Sequence, residues 1–184
     1  NPHKRKADPS MFDLSGMRKA GKRIANEIIE VYNEGLDAPQ TDPEFVHEVH
    51  MMQLPLRRTT FAEVAAARRR IHDYLAEKPG DVDFNDAAAL QVDLGILRRE
   101  ELQEKMDILD TESHILRLGT VAFATNPFEL FLDFGNQIKA RSYAEQTFLV
   151  QLAGGSEGYL PTEKAEKGGH YSAFLASGLV GHAG

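Results

Sequence analysis

Glu129, Tyr159 and Tyr171 are the residues of this sequence whose types and spacing could do chemistry. A carboxylate just after the apolar run Val121 to Thr125, and two phenols in a glycine-rich return, are oxygen donors that strand ends can bring together. Such a set can bind a metal. A tyrosine hydroxyl normally titrates near about pH 10, yet a bound dication can stabilise its phenolate or accept its neutral oxygen. By type alone, each of the three also has a purely structural reading. Glutamate is common in the first turn of helices, where the helix dipole favours a negative charge. A tyrosine is more often a packed aromatic whose hydroxyl has found a partner.

The setting argues for more than a surface charge at Glu129. Asn126, Pro127, Phe128, Leu130 and Phe131 surround it with apolar or shape-fixing residues, and a carboxylate so flanked is costly to desolvate without a partner. Ahead of Tyr159, Gly154, Gly155 and Gly158 let the backbone turn tightly beside something bulky.

These residues need elements to position them. Strand, helix and strand over Val121 to Leu152 form a βαβ-sized unit, so its two strands should lie parallel with a helix over one face. Functional residues in such sheets gather at the C-terminal ends of the strands, where Asn126 to Glu129 and Ala153 to Tyr159 both fall. The pattern predicts strands at His114 to Leu118, Val121 to Thr125 and Thr147 to Leu152, with a tight bend at Gly119. Asn126 followed by Pro127 predicts a capped helix over Phe128 to Ala140, with Glu129 at its second position.

Upstream, Met17, Ala20, Ile24, Ile28 and Val31 make one helical stripe over Gly16 to Asn33. Asn1 to Ser10 reads as an extended segment and Asp37 to Pro43 as a loop. Phe45 to Leu54 suits a strand ended by Pro55. Thr60 and Glu63 form a capping box for a helix to about Glu77, closed by Pro79 and Gly80. Asn85 to Leu109 reads as helix, broken near Gly95.

The histidines offer no obvious metal set. His47 and His50 are three apart, which on a strand points them to opposite faces. His72 lies on a helix, His114 opens a strand and His182 is near the chain end. His170, beside Tyr171, is the one with a possible site role.

The 184 residues suffice for one domain with its own core. No apolar run approaches the roughly 20 residues of a membrane helix, so no transmembrane segment is expected. A formal net charge of −7 argues against nucleic acid as a partner. The basic clusters His3 to Lys6 and Arg68 to Arg70 read as a tail and a solvated helix face. With no cysteine, disulfides are ruled out and any transition-metal site must use His, Asp, Glu or Tyr. No stretch reads as a signal peptide, and no compartment is assigned.

From Val46 onward the chain resembles the neutral, non-lysosomal ceramidase family, zinc-dependent amidases that cut the N-acyl bond of the sphingolipid ceramide. The likeness is carried by Glu48-Val49-x-Met51-x-x-Leu54-Pro55, a long helix, LRLGTVAFATNPFELF and GYLPTEKAEKGGHY. It implies that Glu129 and Tyr159 are zinc ligands and that Tyr171, twelve residues further on, contacts the reacting group. The family's two histidine ligands, and the His and Arg that act beside the metal, lie in an amino-terminal region that this chain does not match. Ser172 stands where family members often carry Glu. The resemblance therefore implies an α/β fold, a mixed sheet with covering helices, forming part of a larger catalytic domain. Residues 1–43 would be an N-terminal extension and helix, and residues 44–184 the α/β domain. The substrate would be a small-molecule or lipid amide, and the missing ligands would come from an N-terminal part of the same protein. Alone, the chain is expected to be inactive. The alternatives are a non-catalytic α/β interaction domain, or an amidase acting on something other than ceramide.

Overall fold

In the computed structural model, residues 13–35, 41–78 and 80–183 are described. The expectations for Asn1 to Ser10, most of the Asp37 to Pro43 loop, and Pro79 fall outside them. The chain divides into two units, Asn1–Pro43 and Glu44–Gly184.

In the first unit the apolar stripe forms helix α1 (Asp13–Glu34), which stops where Gly35 N donates to Val31 O at 2.7 Å. Its Met17, Ile24, Ile28 and Val31 are all exposed.

The second unit is a mixed α/β fold. Its elements are β1 (Phe45–Pro55), α2 (Phe61–Glu77), α3 (Phe84–Ala89), α4 (Gln91–Gln103), β2 (Ile108–Leu118), β3 (Val121–Thr125), β4 (Glu129–Leu130), α5 (Leu132–Arg141), β5 (Gln146–Val150), β6 (Tyr159–Leu160) and α6 (Glu163–Gly168). Two 3₁₀ turns follow, Tyr171–Ala173 and Leu175–Ser177. The main sheet has the order β1-β2-β3-β5, antiparallel except for the parallel pair β3 and β5. A second, two-stranded parallel sheet joins β4 to β6. Among the described residues no helix is long and apolar enough to cross a membrane.

Alternation along the strands decides what is covered. The helix α5 lies between β3 and β5 in sequence and packs on the face that carries Leu149, whose Cδ1 would lie 3.0 Å from a Cβ at Gly135. Phe45, Val49 and Met51 of β1 share the other face with Phe148 and Val150 of β5, and all five are exposed. The core gathers away from that face. Leu56, Leu109, Phe128 and Val180 form one buried cluster, and Val64, Ala67, Ile96 and Leu175 form another between α2, α4 and the last 3₁₀ turn.

Four expectations are corrected. The run Asn85 to Leu109 is two helices and the start of a strand, with the break at Leu90 rather than Gly95. Asp83 caps α3 through Asn85 N and Asp86 N, and Asp86 returns the bond to Asp83 N. Gly95 stays inside α4 because a neighbour presses on it. A Cβ there would stand 2.3 Å from that of Ala176. The strand β2 begins at Ile108 because the eleven-residue β1 pairs it from Phe45↔Leu118 to Pro55↔Ile108. Pro55 is tolerated at the end of an edge strand, where no ladder bond needs its missing N–H.

The third correction concerns Glu129. It is not in the first turn of a helix but in β4, and the helix starts only at Leu132. The amides that a helix would leave free are taken from outside. Phe128 N donates to Asn126 Oδ1, Glu129 N to Gly158 O, Leu130 N to Gln151 Oε1 and Phe131 N to Leu160 O. Asn126 thus makes a turn, not a helix cap. The following strand is also shorter than expected, ending at Val150 before Leu152 at φ 54°.

Candidate functional site

Both parallel strands of the main sheet run on into irregular segments that stay knitted together. Asn126 N donates to Val150 O, Ala153 N to Asn126 O and Glu157 N to Pro127 O, each within 3.0 Å. Phe128 is buried in the core cluster, and this fixes the start of β4. Glu129 then lies in register with Tyr159, and Leu130 with Leu160. Paired residues share a face, so Glu129 and Tyr159 stand side by side on one face and the two leucines on the other.

The two side chains interact. The Glu129 carboxylate accepts from the Tyr159 hydroxyl and holds its pKa above the ordinary tyrosine value, helped by desolvation, by the Glu129 charge and by Tyr171. A hydrogen bond with Ser172 acts in the opposite sense. Tyr171 stands at the head of its 3₁₀ turn, with its ring edge-on to that of Tyr159 at a centroid distance of 5.8 Å and an interplanar angle of 74°. The three residues named from the sequence therefore fall in one place.

The segment that carries Tyr171 is held from below. Arg99, only 5% exposed, donates to Leu179 O at 2.8 Å, Gly178 O at 2.5 Å and Leu175 O at 3.4 Å. Burial lowers its pKa and the nearby Arg57 adds to the effect. Arg57 in turn donates to Ala173 O at 2.9 Å. Gly178 lets this segment cross β6 closely, because a Cβ there would lie 2.0 Å from Tyr159 O.

Tyr159 and Tyr171 line a cavity of about 250 Å³ together with Gln91, Val92, Phe174, Ala176 and Ser177. His170 adjoins Tyr171 but is not among the lining residues. Neither Gln91 nor Arg99 stands out in the sequence, since both lie in what reads as one amphipathic helix. The Asp83-x-x-Asp86 capping box is the signal that could have exposed the second helix start near Gln91.

As a metal site the described residues fall short of what zinc needs. Zinc normally takes three or four protein ligands. The adjoining donors are one carboxylate and one phenol, and no group of three or more His, Cys, Asp or Glu among the described residues could hold a metal ion. His47, His50 and His114 pair away from Glu129 and Tyr159. His47 Nε2 lies 2.9 Å from His114 Nδ1 with the rings stacked, and His114 Nε2 lies 3.2 Å from Glu112, while His50 meets Glu48.

An α/β fold with polar residues at the C-terminal ends of parallel strands is compatible with a hydrolase of the amidase kind, and fold alone says no more than that. In comparisons with known proteins, no family model, no curated protein and no solved structure matches the chain.

Proposed function

We propose that this chain is the α/β part of an amide hydrolase acting on an N-acyl compound, and that it presents Glu129, Tyr159 and Tyr171 to a site completed by further residues. The observation that supports this reading is the in-register pairing of Glu129 with Tyr159 beside the Tyr171 ring, with both tyrosines lining one cavity. A phenol hydroxyl placed there can donate to the amide carbonyl oxygen as it gains negative charge, the interaction that stabilises a tetrahedral intermediate. Tyr171 has that role. Tyr159, whose proton is held by Glu129, stays neutral and fixes the carboxylate. The resemblance adds zinc as cofactor, with Glu129 and Tyr159 as two of its ligands and the others from an N-terminal part of the same protein. When bound, zinc would polarise the carbonyl and bring a water to a pKa of about 7.

The test is hydrolysis by a preparation that includes the sequence upstream of this chain, assayed on short N-acyl amino compounds beside ceramide. Glu129→Gln and a chelator are each expected to lower turnover by at least about 100-fold, and Tyr171→Phe by about 10²-fold. Hydrolysis indifferent to Glu129→Gln would sink the reading.

A second reading, a non-catalytic α/β domain that packs against a partner, is favoured by a different observation. The described residues hold no complete metal set, and one face of the sheet leaves Phe45, Val49, Met51, Phe148 and Val150 exposed. Metal analysis of the longer protein separates the two. Stoichiometric metal lost in Glu129→Ala supports the hydrolase, and a metal-free, inactive protein supports the packing domain.

A further inference from the structure

The main sheet ends at β1, whose outer edge is long and regular. Its register with β2 runs unbroken from Phe45↔Leu118 to Pro55↔Ile108, so no bulge bends it. A bare edge is a template for another strand, and sheets blunt it with lysine, proline, bulges or a covering segment. The sequence FVHEVHMMQLP has no lysine, and its proline stands only at the last position.

The phase of the ladder tells which backbone groups face outward. Gly119 N donates to Glu44 O at 2.8 Å and Leu56 N to Asp107 O at 2.9 Å, one bond at each end of the strand. Bonded pairs alternate along an antiparallel ladder, so the even-numbered residues of β1 turn N–H and C=O toward β2 and the odd-numbered ones turn theirs outward. Arg57 follows the same phase, its N donating to Leu179 O at 3.0 Å, and that segment covers the edge beyond Pro55. Upstream, Phe45, His47, Val49, Met51 and Gln53 are exposed, and β2 is the one strand paired with β1 among the described residues.

This strand is complementary to itself. A two-fold axis at Val49 sets Val49 against its own copy, His47 against Met51 and Phe45 against Gln53. All five outward-facing residues then form bonded pairs, giving about ten backbone hydrogen bonds. The same axis sets Glu48 of each copy against His50 of the other, in the non-bonded positions where side chains lie closest. Both side chains are exposed, and within one strand they already meet at 3.2 Å. Neighbouring registers lose this match. An axis at Glu48 opposes two carboxylates. An axis at His50 opposes two imidazoles and places Pro55, which has no N–H, against Phe45.

We propose that the chain forms a two-fold dimer through β1, a second copy adding its own β1 antiparallel in the register centred on Val49. The four-stranded sheet continues across both copies, and because each copy uses the same patch the assembly closes at two. Phe45 of each copy comes diagonal to Met51 of the other on the exposed apolar face, within reach of long side chains. The inference does not depend on the hydrolase reading.

The test is sedimentation velocity of the 184-residue chain over a concentration series, with amide hydrogen exchange at its two ends. The expected result is a monomer–dimer equilibrium with no larger species. His50→Glu opposes carboxylates at both crossings and should weaken the dimer about tenfold or more. Adding Glu48→Lys to it restores opposite charges and should restore the dimer. In the concentrated sample the amides of Phe45, His47, Val49, Met51 and Gln53 should exchange more slowly than in the dilute one, while those of Val46, Glu48 and His50 are protected in both. A chain that stays monomeric, whose edge would then be free for a strand of another protein, overturns the inference. So does a dimer that His50→Glu leaves intact, one that the double variant fails to restore, or outward amides that exchange alike in both samples.

Discussion

Tyr159 keeps its proton because of what surrounds its oxygen. The Glu129 carboxylate accepts from it, the negative charge nearby opposes a second one, and both outweigh the contact with Ser172. The chain has five tyrosines. In a tyrosinate absorbance titration, Tyr159→Phe should remove a late-titrating group, and Glu129→Gln should bring Tyr159 back toward about 10. The direction also fixes its linkage to folding. A tyrosine whose folded pKa is raised contributes stability that is fully present below about pH 10 and lost as pH rises through the raised value. At this scale the sequence was informative about residue type, and the apolar setting of Glu129 was visible in Pro127, Phe128 and Leu130. What could not be read was the partner. That a carboxylate faces a phenol thirty residues away depends on register between two strands of two residues each.

Among the elements, those with strong local signals were legible. The capping box of Thr60 and Glu63 starts α2 through Glu63 N to Thr60 Oγ1 and Thr60 N to Glu63 Oε2. The apolar run of β3 and the stripe of α1 were equally plain. The misread elements are those decided by distant groups. Asn126-Pro127 has the local chemistry of a helix start, but Gly158, Gln151 and Leu160 take up the amides that follow. Gly95 reads as a helix breaker, whereas it is a contact point. Gly95→Ala would gain about 1 kcal/mol of helix propensity if the site were open. With Ala176 in the way, overpacking should win and destabilise the fold by about 1–3 kcal/mol, measured by urea unfolding. A stabilised variant would show that α4 and the Leu175–Ser177 turn are not in close contact.

On the scale of the whole second unit, one buried guanidinium ties α4 to the last segment of the chain. The guanidinium of Arg99 donates to the carbonyls of Leu175, Gly178 and Leu179. Replacing it by methionine would keep much of the volume and strand these acceptors. Arg99→Met should therefore cost about 3 kcal/mol in denaturant unfolding. It should also raise hydrogen exchange around Tyr171 and Gly178, while the β1 and β2 amides keep the exchange rates expected from the lower global stability. Unchanged protection at Tyr171 would mean that the segment is held by other contacts, such as the bond from Arg57 to Ala173 O. The same unit leaves one sheet face apolar and exposed, although parallel strands are usually covered on both sides.

By itself the sequence determined the α/β class, the parallel βαβ unit and the residue types available for chemistry, because periodicity, capping and turn chemistry act over a few neighbours. Only the tertiary structure decided that Glu129 lies on a strand, that it faces Tyr159, and that Gln91 lines a cavity together with Tyr159 and Tyr171. Those outcomes depend on backbone hydrogen bonds and close contacts between segments far apart in the chain. The amides after Asn126 carry no mark of which carbonyl will take them, and that choice made Glu129 a strand residue.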